Sequence, residues 1–209
     1  MGVIMTIISR RVLSPILGKS EIAIERAKKY RDIMISNGVK ARLGMFVGGA
    51  LNGSLQLTAV YSDMTSATKS FTLLSQNKEM IDLMKERAKN PSGVLIGPEI
   101  YRSVYGAPSP SHNVLLIREY EVDRKSLPKS IDLLSEVEEI SKMEDTKLLA
   151  LYPVIADKMN VLYVIYYYSS ISSMGEIIDK IGMSEGFQNI VNRANEIGTL
   201  KSANVINNI

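Results

Sequence analysis

Arginines inside apolar, strand-like segments are the first residues of this sequence that could do chemistry. Arg42 and Arg118 each interrupt such a segment, and Arg10 and Arg11 do so as a pair. Because a buried charge without a partner is costly, an arginine in a strand either pairs across the sheet or faces a polar cavity. Tyr120 lies on the same face as Arg118, and an Arg fork beside Tyr hydroxyls in an apolar cavity suits a carboxylate or an enolate.

The alternative role for these charges is structural. Arginine in proteins is normally exposed or paired. Under this interpretation Arg11, Glu119 and Glu121 lie at strand ends or on a sheet edge and pair across strands. The sequence alone leaves both interpretations open.

Tyrosine is concentrated in the strand-like segments. Nine of the ten tyrosines lie on or just after them: Tyr61, Tyr101, Tyr105, Tyr120, Tyr152, Tyr163, Tyr166, Tyr167 and Tyr168. The densest group falls in 160–170, NVLYVIYYYSS, which has no polar face and is typical of a strand covered on both sides. A tyrosine ring can be buried while its hydroxyl stays bonded, so the pattern predicts either core packing or a cavity lined for a ligand.

Few other side chains have catalytic or metal-binding potential. The chain has no cysteine and a single histidine, His112, which excludes thiol catalysis, thiolate sites and multi-histidine metal sites. There is no calcium-loop pattern either. His112 lies in a Pro/Ser-rich stretch, where we expect a solvated loop residue and not a triad or haem ligand. We therefore expect no metal and no cofactor.

Composition restricts the class of protein. A chain of 209 residues with 45% apolar side chains can bury a large core. The formal net charge is only +3, without a basic tail or block, so nucleic acid is not an expected partner. The apolar N-terminal run is too short to span a bilayer and precedes its arginines, unlike a secretory signal. We expect a soluble cytoplasmic protein with no membrane contact.

Hydrophobic periodicity predicts the order strand, helix, strand, strand, helix, strand, twice over. The predicted strands span 3–13, 41–47, 54–62, 94–101, 113–122, 146–155, 161–169 and 199–206, and the predicted helices span 17–37, 65–90, 126–143 and 172–197. Gly182 and Gly186 indicate a break in the last helix. The Pro/Ser/Gly-rich linker 106–112 separates a first unit at 1–105 from a second at 113–209.

Each run has the split β-α-β-β-α-β order of the ferredoxin-like fold. On that order the chain resembles the dimeric α+β barrel superfamily in its tandem form, as in NIPSNAP-like proteins and fused relatives of the antibiotic-biosynthesis monooxygenases. The resemblance implies an α+β fold in which two sheets pack to close a barrel with four helices outside. Members include cofactor-free monooxygenases, haem-degrading enzymes, chlorite dismutase-like haem enzymes and small-molecule lyases, so the fold alone does not set the activity.

The two halves align without a gap from 54 to 90 when 106 is added to each number. Two sets then match as apolar or aromatic and are expected under the helices: Leu55, Leu57, Ala59 and Tyr61 with Val161, Tyr163, Ile165 and Tyr167. The alternate residues are expected to line the barrel interior: Gln56, Thr58, Val60 and Ser62 with Leu162, Val164, Tyr166 and Tyr168.

We therefore expect a ligand site inside the barrel. Its predicted lining is Arg42, Gln56, Thr58, Arg118, Tyr120, Tyr166 and Tyr168. The preferred function is binding of a small apolar or weakly acidic molecule. One alternative is a cofactor-independent oxygenase, isomerase or lyase on an activated carbonyl substrate, with Arg118 stabilising an enolate and Tyr120 or Tyr166 as proton donor.

Another alternative is a structural or interaction module whose barrel is filled by side chains. For the assembly, sheet-edge pairing and Tyr- and Met-rich surfaces favour a homodimer.

Overall fold

The computed structural model describes residues 5–141 and 144–209, which form eight strands and six helices. The strands are β1 (Ile7–Pro15), β2 (Lys40–Gly48), β3 (Leu55–Tyr61), β4 (Gly93–Gly106), β5 (Val114–Val122), β6 (Lys147–Ile155), β7 (Val161–Tyr168) and β8 (Gly198–Asn208). The helices are α1 (Ser20–Ser36), α2 (Met64–Gln76), α3 (Lys78–Lys89), α4 (Leu127–Ser141), α5 (Ile171–Ile177) and α6 (Glu185–Asn195). The predicted strand start at residue 3 and helix end at residue 143 lie outside the described residues.

The eight strands form one closed antiparallel barrel in the order β1-β3-β2-β8-β5-β7-β6-β4, and β4 pairs back onto β1. Each half supplies four consecutive strands of this order, and the halves meet where β2 pairs with β8 and β4 with β6. The predicted α+β barrel of two ferredoxin-like units is confirmed. The division into units at 1–105 and 113–209 stays a prediction.

Side-chain caps divide the two long predicted helices. The predicted helix 65–90 is two helices, because the Asn77 side chain accepts a hydrogen bond from the Met80 N–H at 3.0 Å and starts α3 one residue after α2 ends. In the second half, a π-helical turn, Ile178–Gly182, follows α5, and Ser184 then caps α6 through the Phe187 N–H at 3.3 Å. The break in this last helix lies near Gly182, as the glycines indicate.

Three apolar clusters fill the fold. One lies between the first-half sheet and α1, α2 and α3, and includes Met34, Leu43, Leu57 and Leu83. A second lies between the second-half sheet and the helices α4, α5 and α6. Its central members are Leu134, Leu162, Val164, Tyr166, Tyr168, Phe187 and Ile190. The third fills the barrel interior and includes Phe46, Tyr101, Val161, Tyr163, Ile165, Tyr167 and Ile206.

The predicted faces of β7 are therefore wrong. Tyr166 and Tyr168 lie under the helices, whereas Tyr163 and Tyr167 line the interior. The sheet register gives the reason: Arg11 lies opposite Leu57 on β1 and β3, and Arg118 lies opposite Val164 on β5 and β7. Both members of the second pair stand 107 positions after those of the first, not 106. A slip of one residue moves every side chain of a strand to the other face.

A hydrogen-bonded network crosses the barrel interior. Arg10 donates to Gln56 Oε1 at 2.9 Å, to Glu99 Oε2 at 3.3 Å and to Tyr163 Oη at 3.3 Å. Tyr101 also donates to Glu99 Oε2, at 2.8 Å, so the carboxylate receives two bonds. The network joins β1 of the first half to β7 of the second across the barrel.

Closure of the sheet bears on assembly. Every strand has a neighbour on both sides along part of its length, so pairing of a free sheet edge no longer supports a homodimer. The homodimer itself stays a prediction. No helix in the described part of the chain is long and apolar enough to cross a membrane.

Removing Arg10 is expected to destabilise the barrel. The Arg10 and Glu99 side chains are only 16% and 15% exposed, so Arg10→Met leaves a largely buried carboxylate without its cation and is expected to cost about 3 kcal/mol of unfolding free energy. The double change Arg10→Met with Glu99→Gln is expected to recover at least half of that loss. Urea unfolding of the two variants and the unchanged protein measures both effects.

The exposed pair Lys125 and Asp123 is the matched control. Lys125→Met is expected to change the unfolding free energy by less than about 0.5 kcal/mol. If Arg10→Met lowers the unfolding free energy by no more than this control does, the network has no structural role.

Candidate functional site

The candidate site surrounds Arg118, in the middle of β5 on the face covered by α4 and α6. Antiparallel pairing of β5 with β7 places Arg118 opposite Val164 and brings Tyr166 beside it. The cap of α6 places Phe187 in the first turn of that helix. The guanidinium carbon of Arg118 lies 5.4 Å from the centre of the Tyr166 ring and 6.0 Å from that of Phe187, which are cation–π distances.

Tyr166 and Tyr168, which lie near Arg118, remain protonated in neutral solution. Burial raises the pKa of Tyr166, and the charge of Arg118 only partly opposes this. Burial likewise raises the pKa of Tyr168 to about 12. Burial acts to lower the pKa of Arg118, but the neighbouring Tyr166 and Tyr120 outweigh it, and the pKa is raised. The site therefore combines a permanent cation with neutral hydroxyl groups.

Arg118 has no acidic partner among the residues that the structure describes. All ion pairs recorded within residues 5–141 and 144–209 use other arginines, lysines or His112. A half-buried guanidinium normally has its charge compensated. Among the described residues, the compensation comes only from aromatic rings and hydroxyls.

Two small cavities flank Arg118. One of about 60 Å³ is almost entirely apolar and reaches from Tyr120 to Ile190. The other, of about 40 Å³, is bounded by Tyr168, by Thr146 and by the π-helical turn. Thr146 Oγ1 is buried and has no hydrogen-bond partner among the described residues. Arg118 and Tyr166 line both cavities.

The seven residues predicted to line one site lie in three places. Arg118, Tyr120, Tyr166 and Tyr168 are together, but under the helices of the second half and not inside the barrel. The placement predicted for Tyr166 and Tyr168 is thus wrong, whereas a role in binding stays a prediction.

Gln56 and Thr58 do face the interior, where they line a cavity of about 50 Å³ beside Arg10. Gln56 accepts from Arg10 and donates to Thr58 Oγ1 at 3.2 Å, so its amide is committed to the interior network.

Arg42, the seventh residue, holds the segment 106–112 over one end of the barrel. It donates to the carbonyl oxygens of Ser109 at 2.8 Å and His112 at 3.1 Å, and to Asn113 Oδ1 at 3.1 Å. Pro108 of this segment lines the interior cavity. These three bonds give Arg42 a positioning role at the barrel end.

His112 is not the solvated loop residue that the sequence predicts. It is only 5% exposed, and both ring nitrogens are bonded, Nδ1 to Ser109 Oγ at 2.6 Å and Nε2 to Asp145 Oδ1 at 3.0 Å. Ser111 Oγ also lies 3.1 Å from Nδ1. The composition of the segment correctly indicates a loop, but bonds to Arg42 and Asp145 hold His112 itself in a buried position.

Sequence reasoning missed Phe187 and Thr146 at this site, and the interior partners Glu99 and Tyr163. The missing signal is the offset of 107, which pairs Arg11 with Arg118 and sets the faces of β7. No group of three or more acidic or histidine side chains in the described ranges is placed to hold a metal ion.

No protein-family model matches the sequence, and no curated protein matches it. Solved structures do match in fold. A candidate monooxygenase from Fusobacterium nucleatum has a TM-score of 0.67 at 12% identity, covering 99% of this chain and 96% of its own. An anthrone oxidase-like protein has a TM-score of 0.66 at 8% identity, covering 99% of this chain and 92% of its own.

A third match is chlorite dismutase from Candidatus Nitrospira defluvii, with a TM-score of 0.54 at 6% identity, covering 97% of this chain and 90% of its own. At such identities the likeness concerns the fold and not the activity. The chain thus shares its α+β barrel fold with structures named as a monooxygenase, as anthrone oxidase-like and as chlorite dismutase.

Proposed function

We propose that this protein binds a small apolar molecule bearing one carboxylate or enolate, between the second-half sheet and helices α4 and α6. The observation that carries the proposal is Arg118, a half-buried cation without an acidic partner among the described residues, set between two cavities. An anionic ligand group is the partner that this cation lacks.

The energetics favour an anion on Arg118. Contact with Tyr166 and Phe187 stabilises the guanidinium by about 0.5–2 kcal/mol per cation–π pair. Hydrogen bonds to a charged group contribute about 1.5–3 kcal/mol, and the planar guanidinium can make two with one carboxylate. The hydroxyls of Tyr120 and Tyr166 add neutral donors beside the same position.

The side chains that line the cavities indicate the chemical character and size of the rest of the ligand. Apolar side chains such as Leu162, Val164 and Ile190 make up most of the larger cavity, which suits a hydrocarbon or aromatic body. Both cavities are small, so a ligand larger than a few atoms requires α6 to move away from the sheet. The π-helical turn, Ile178–Gly182, lies at the edge of the second cavity, and such turns are frequent where function needs local adjustment.

A second candidate is proton-transfer or oxygenase-like chemistry on an activated carbonyl compound. The supporting observation is that Tyr166, with its pKa raised by burial, remains a protonated donor beside a permanent cation. Arg118 would stabilise an enolate oxygen and Tyr166 or Tyr120 would donate the proton. The fold shared with proteins named as monooxygenases is compatible with this chemistry.

Binding of a simple carboxylate tests the first candidate. Benzoate is expected to raise the melting temperature saturably, whereas benzyl alcohol, its uncharged counterpart, is expected to have a much smaller effect. Arg118→Met is expected to weaken benzoate binding at least about tenfold, because the charged hydrogen bonds are lost. Isothermal titration calorimetry measures both affinities.

Arg102, an exposed arginine on β4, supplies the matched control. Arg102→Met is expected to bind benzoate like the unchanged protein. An equal loss of benzoate affinity in Arg118→Met and Arg102→Met would rule out recognition by Arg118. Equal affinities of the unchanged protein for benzyl alcohol and benzoate would rule it out as well.

Proton exchange tests the second candidate. Deuterium incorporation into acetylacetone, followed by NMR in heavy water, is expected to be faster with the protein than without it. Arg118→Met is expected to remove the acceleration, and Tyr166→Phe to reduce it at least about tenfold, since proton transfer contributes factors of 10²–10⁴. Acceleration that persists in both variants is not catalysis by this site.

The raised pKa values of two buried tyrosines lead to an independent prediction about stability at alkaline pH. The pKa of both Tyr167 and Tyr168 is raised to about 12 in the folded protein by burial, against 10.0 for an ordinary tyrosine. A raised pKa contributes stability that is complete below pH 10 and is lost as the pH rises through 12. At about pH 11, Tyr168→Phe should therefore lower the tyrosinate absorbance of the urea-unfolded chain but hardly alter that of the folded chain.

A folded protein that loses as much absorbance as the unfolded chain on this substitution would show that Tyr168 is not buried.

A further inference from the structure

The first half contains a cavity at the position that corresponds to the Arg118 site. It has a volume of about 40 Å³ and lies between the sheet and helices α1 and α3. Its polar lining consists mainly of Arg11, Arg26, Arg87 and Tyr30. Arg11 and Arg118 stand on equivalent strands, each opposite the equivalent residue of the next strand.

Arg11 is one of the two cations at this cavity that are buried, and Arg26 is the other. Arg11 is only 9% exposed, and its recorded polar bond is the one that it donates to Ser9 Oγ, at 3.0 Å. Its guanidinium carbon lies 5.4 Å from the centre of the Tyr30 ring and 5.9 Å from that of Phe71. Within the described residues it has no carboxylate at ion-pair distance, so most of its five N–H donors are free for another partner.

Arg26 and Arg87 bring two further positive charges to the same space. Arg26, 7% exposed, donates to Glu86 Oε1 at 2.9 Å and to the Asn90 carbonyl oxygen at 2.6 Å. Arg87 is half-buried, and its recorded contact is with Met84 Sδ at 3.7 Å. Burial lowers the pKa of Arg87; Tyr30 opposes this, and the charges of Arg26 and Arg11 add to it. The three cations therefore repel one another, and within the described residues only Glu86 compensates them.

We propose that this cavity binds a phosphoryl group. Three arginines and one glutamate leave two uncompensated positive charges, which match the charge of about −1.5 to −2 on a phosphoryl group at neutral pH. Arginine forks fit phosphate oxygens in bidentate geometry. The volume holds about three oxygen-sized atoms, the number of terminal oxygens on such a group.

The two corresponding cavities would take different ligands. At the positions 107 residues after Arg26, Tyr30 and Arg87, the Arg118 site has Leu133, Val137 and Ala194, and all three line its larger cavity. The second-half site thus has one cation in apolar surroundings and suits a monoanion. The first-half site concentrates charge and suits a dianion, independently of the function proposed for Arg118.

Two sources could supply the phosphoryl group, namely inorganic phosphate and a phosphate monoester. Half-buried Arg87 and the more exposed Leu95 lie at the rim of the cavity, and Leu13, Leu55 and Leu57 line the apolar side of it. An organic group on the phosphate could therefore lie against leucine side chains while the oxygens contact the arginines.

Calorimetric titration at constant ionic strength, in a buffer without phosphate, tests the proposal. Inorganic phosphate and phenyl phosphate are the two probes, and at least one is expected to bind saturably and more tightly than acetate. Tighter binding of phenyl phosphate identifies a monoester as the source, and equal or tighter binding of inorganic phosphate identifies the free ion. Arg87→Met is expected to weaken binding at least about tenfold, and Arg87→Lys to weaken it less.

Lys85 on the same helix is the matched control, because its side chain is 69% exposed and lies outside the cavity lining. Lys85→Met and Arg118→Met are both expected to bind the phosphate probes normally, so a failure of the Arg118 site leaves this test intact. Arg87 is chosen over Arg11 because a half-buried residue tolerates substitution without unfolding. Three results overturn the proposal. They are no saturable binding of either probe, acetate binding as tightly as phosphate, or an equal loss of phosphate affinity in Lys85→Met and Arg87→Met.

Discussion

Closure of the eight-stranded sheet is the constraint on which the rest of this structure depends. Once β4 pairs with β1, each strand has one face toward the barrel interior and one toward the helices. Successive side chains of a strand therefore alternate between these two environments. The fold therefore offers two environments for a polar residue: an enclosed interior, and the layer between sheet and helices. The halves are held together by backbone pairing of β2 with β8 and of β4 with β6, not by side chains alone.

The adjacent residues Arg10 and Arg11 show what this choice means for function. Arg10 faces the interior and is bonded to Glu99, Gln56 and Tyr163, so its charge is compensated within the protein. Arg11 faces α1 and α2 and has aromatic rings and one serine hydroxyl around it. A compensated cation stabilises the fold, whereas an uncompensated cation at a cavity can recognise an anion. The same contrast separates Arg10 from Arg118.

Period-two and helical patterns predict the element order, because they report burial directly, and the resemblance based on that order implies the barrel. The sequence does not determine the faces of β7, since Val161–Tyr168 is apolar on both, and either face fits under helices or inside a barrel. Because these residues are apolar on both faces, they fit an alignment offset of 106 between the halves as well as one of 107. Only the recurrence of an arginine at positions 11 and 118 distinguishes the two offsets. The burial of His112 depends on Arg42, which is distant in sequence, so local composition could not reveal it.

The segment 106–112, held by Arg42 over the barrel end, has a consequence beyond local structure. Two separate identical chains closing the same barrel would be related by symmetry and would have two identical pockets. A covalent connection removes that symmetry requirement and replaces a concentration-dependent association with an intramolecular one. Each half is then free to accumulate substitutions of its own. A charge-dense pocket and an apolar one can coexist in a single molecule at a fixed one-to-one ratio.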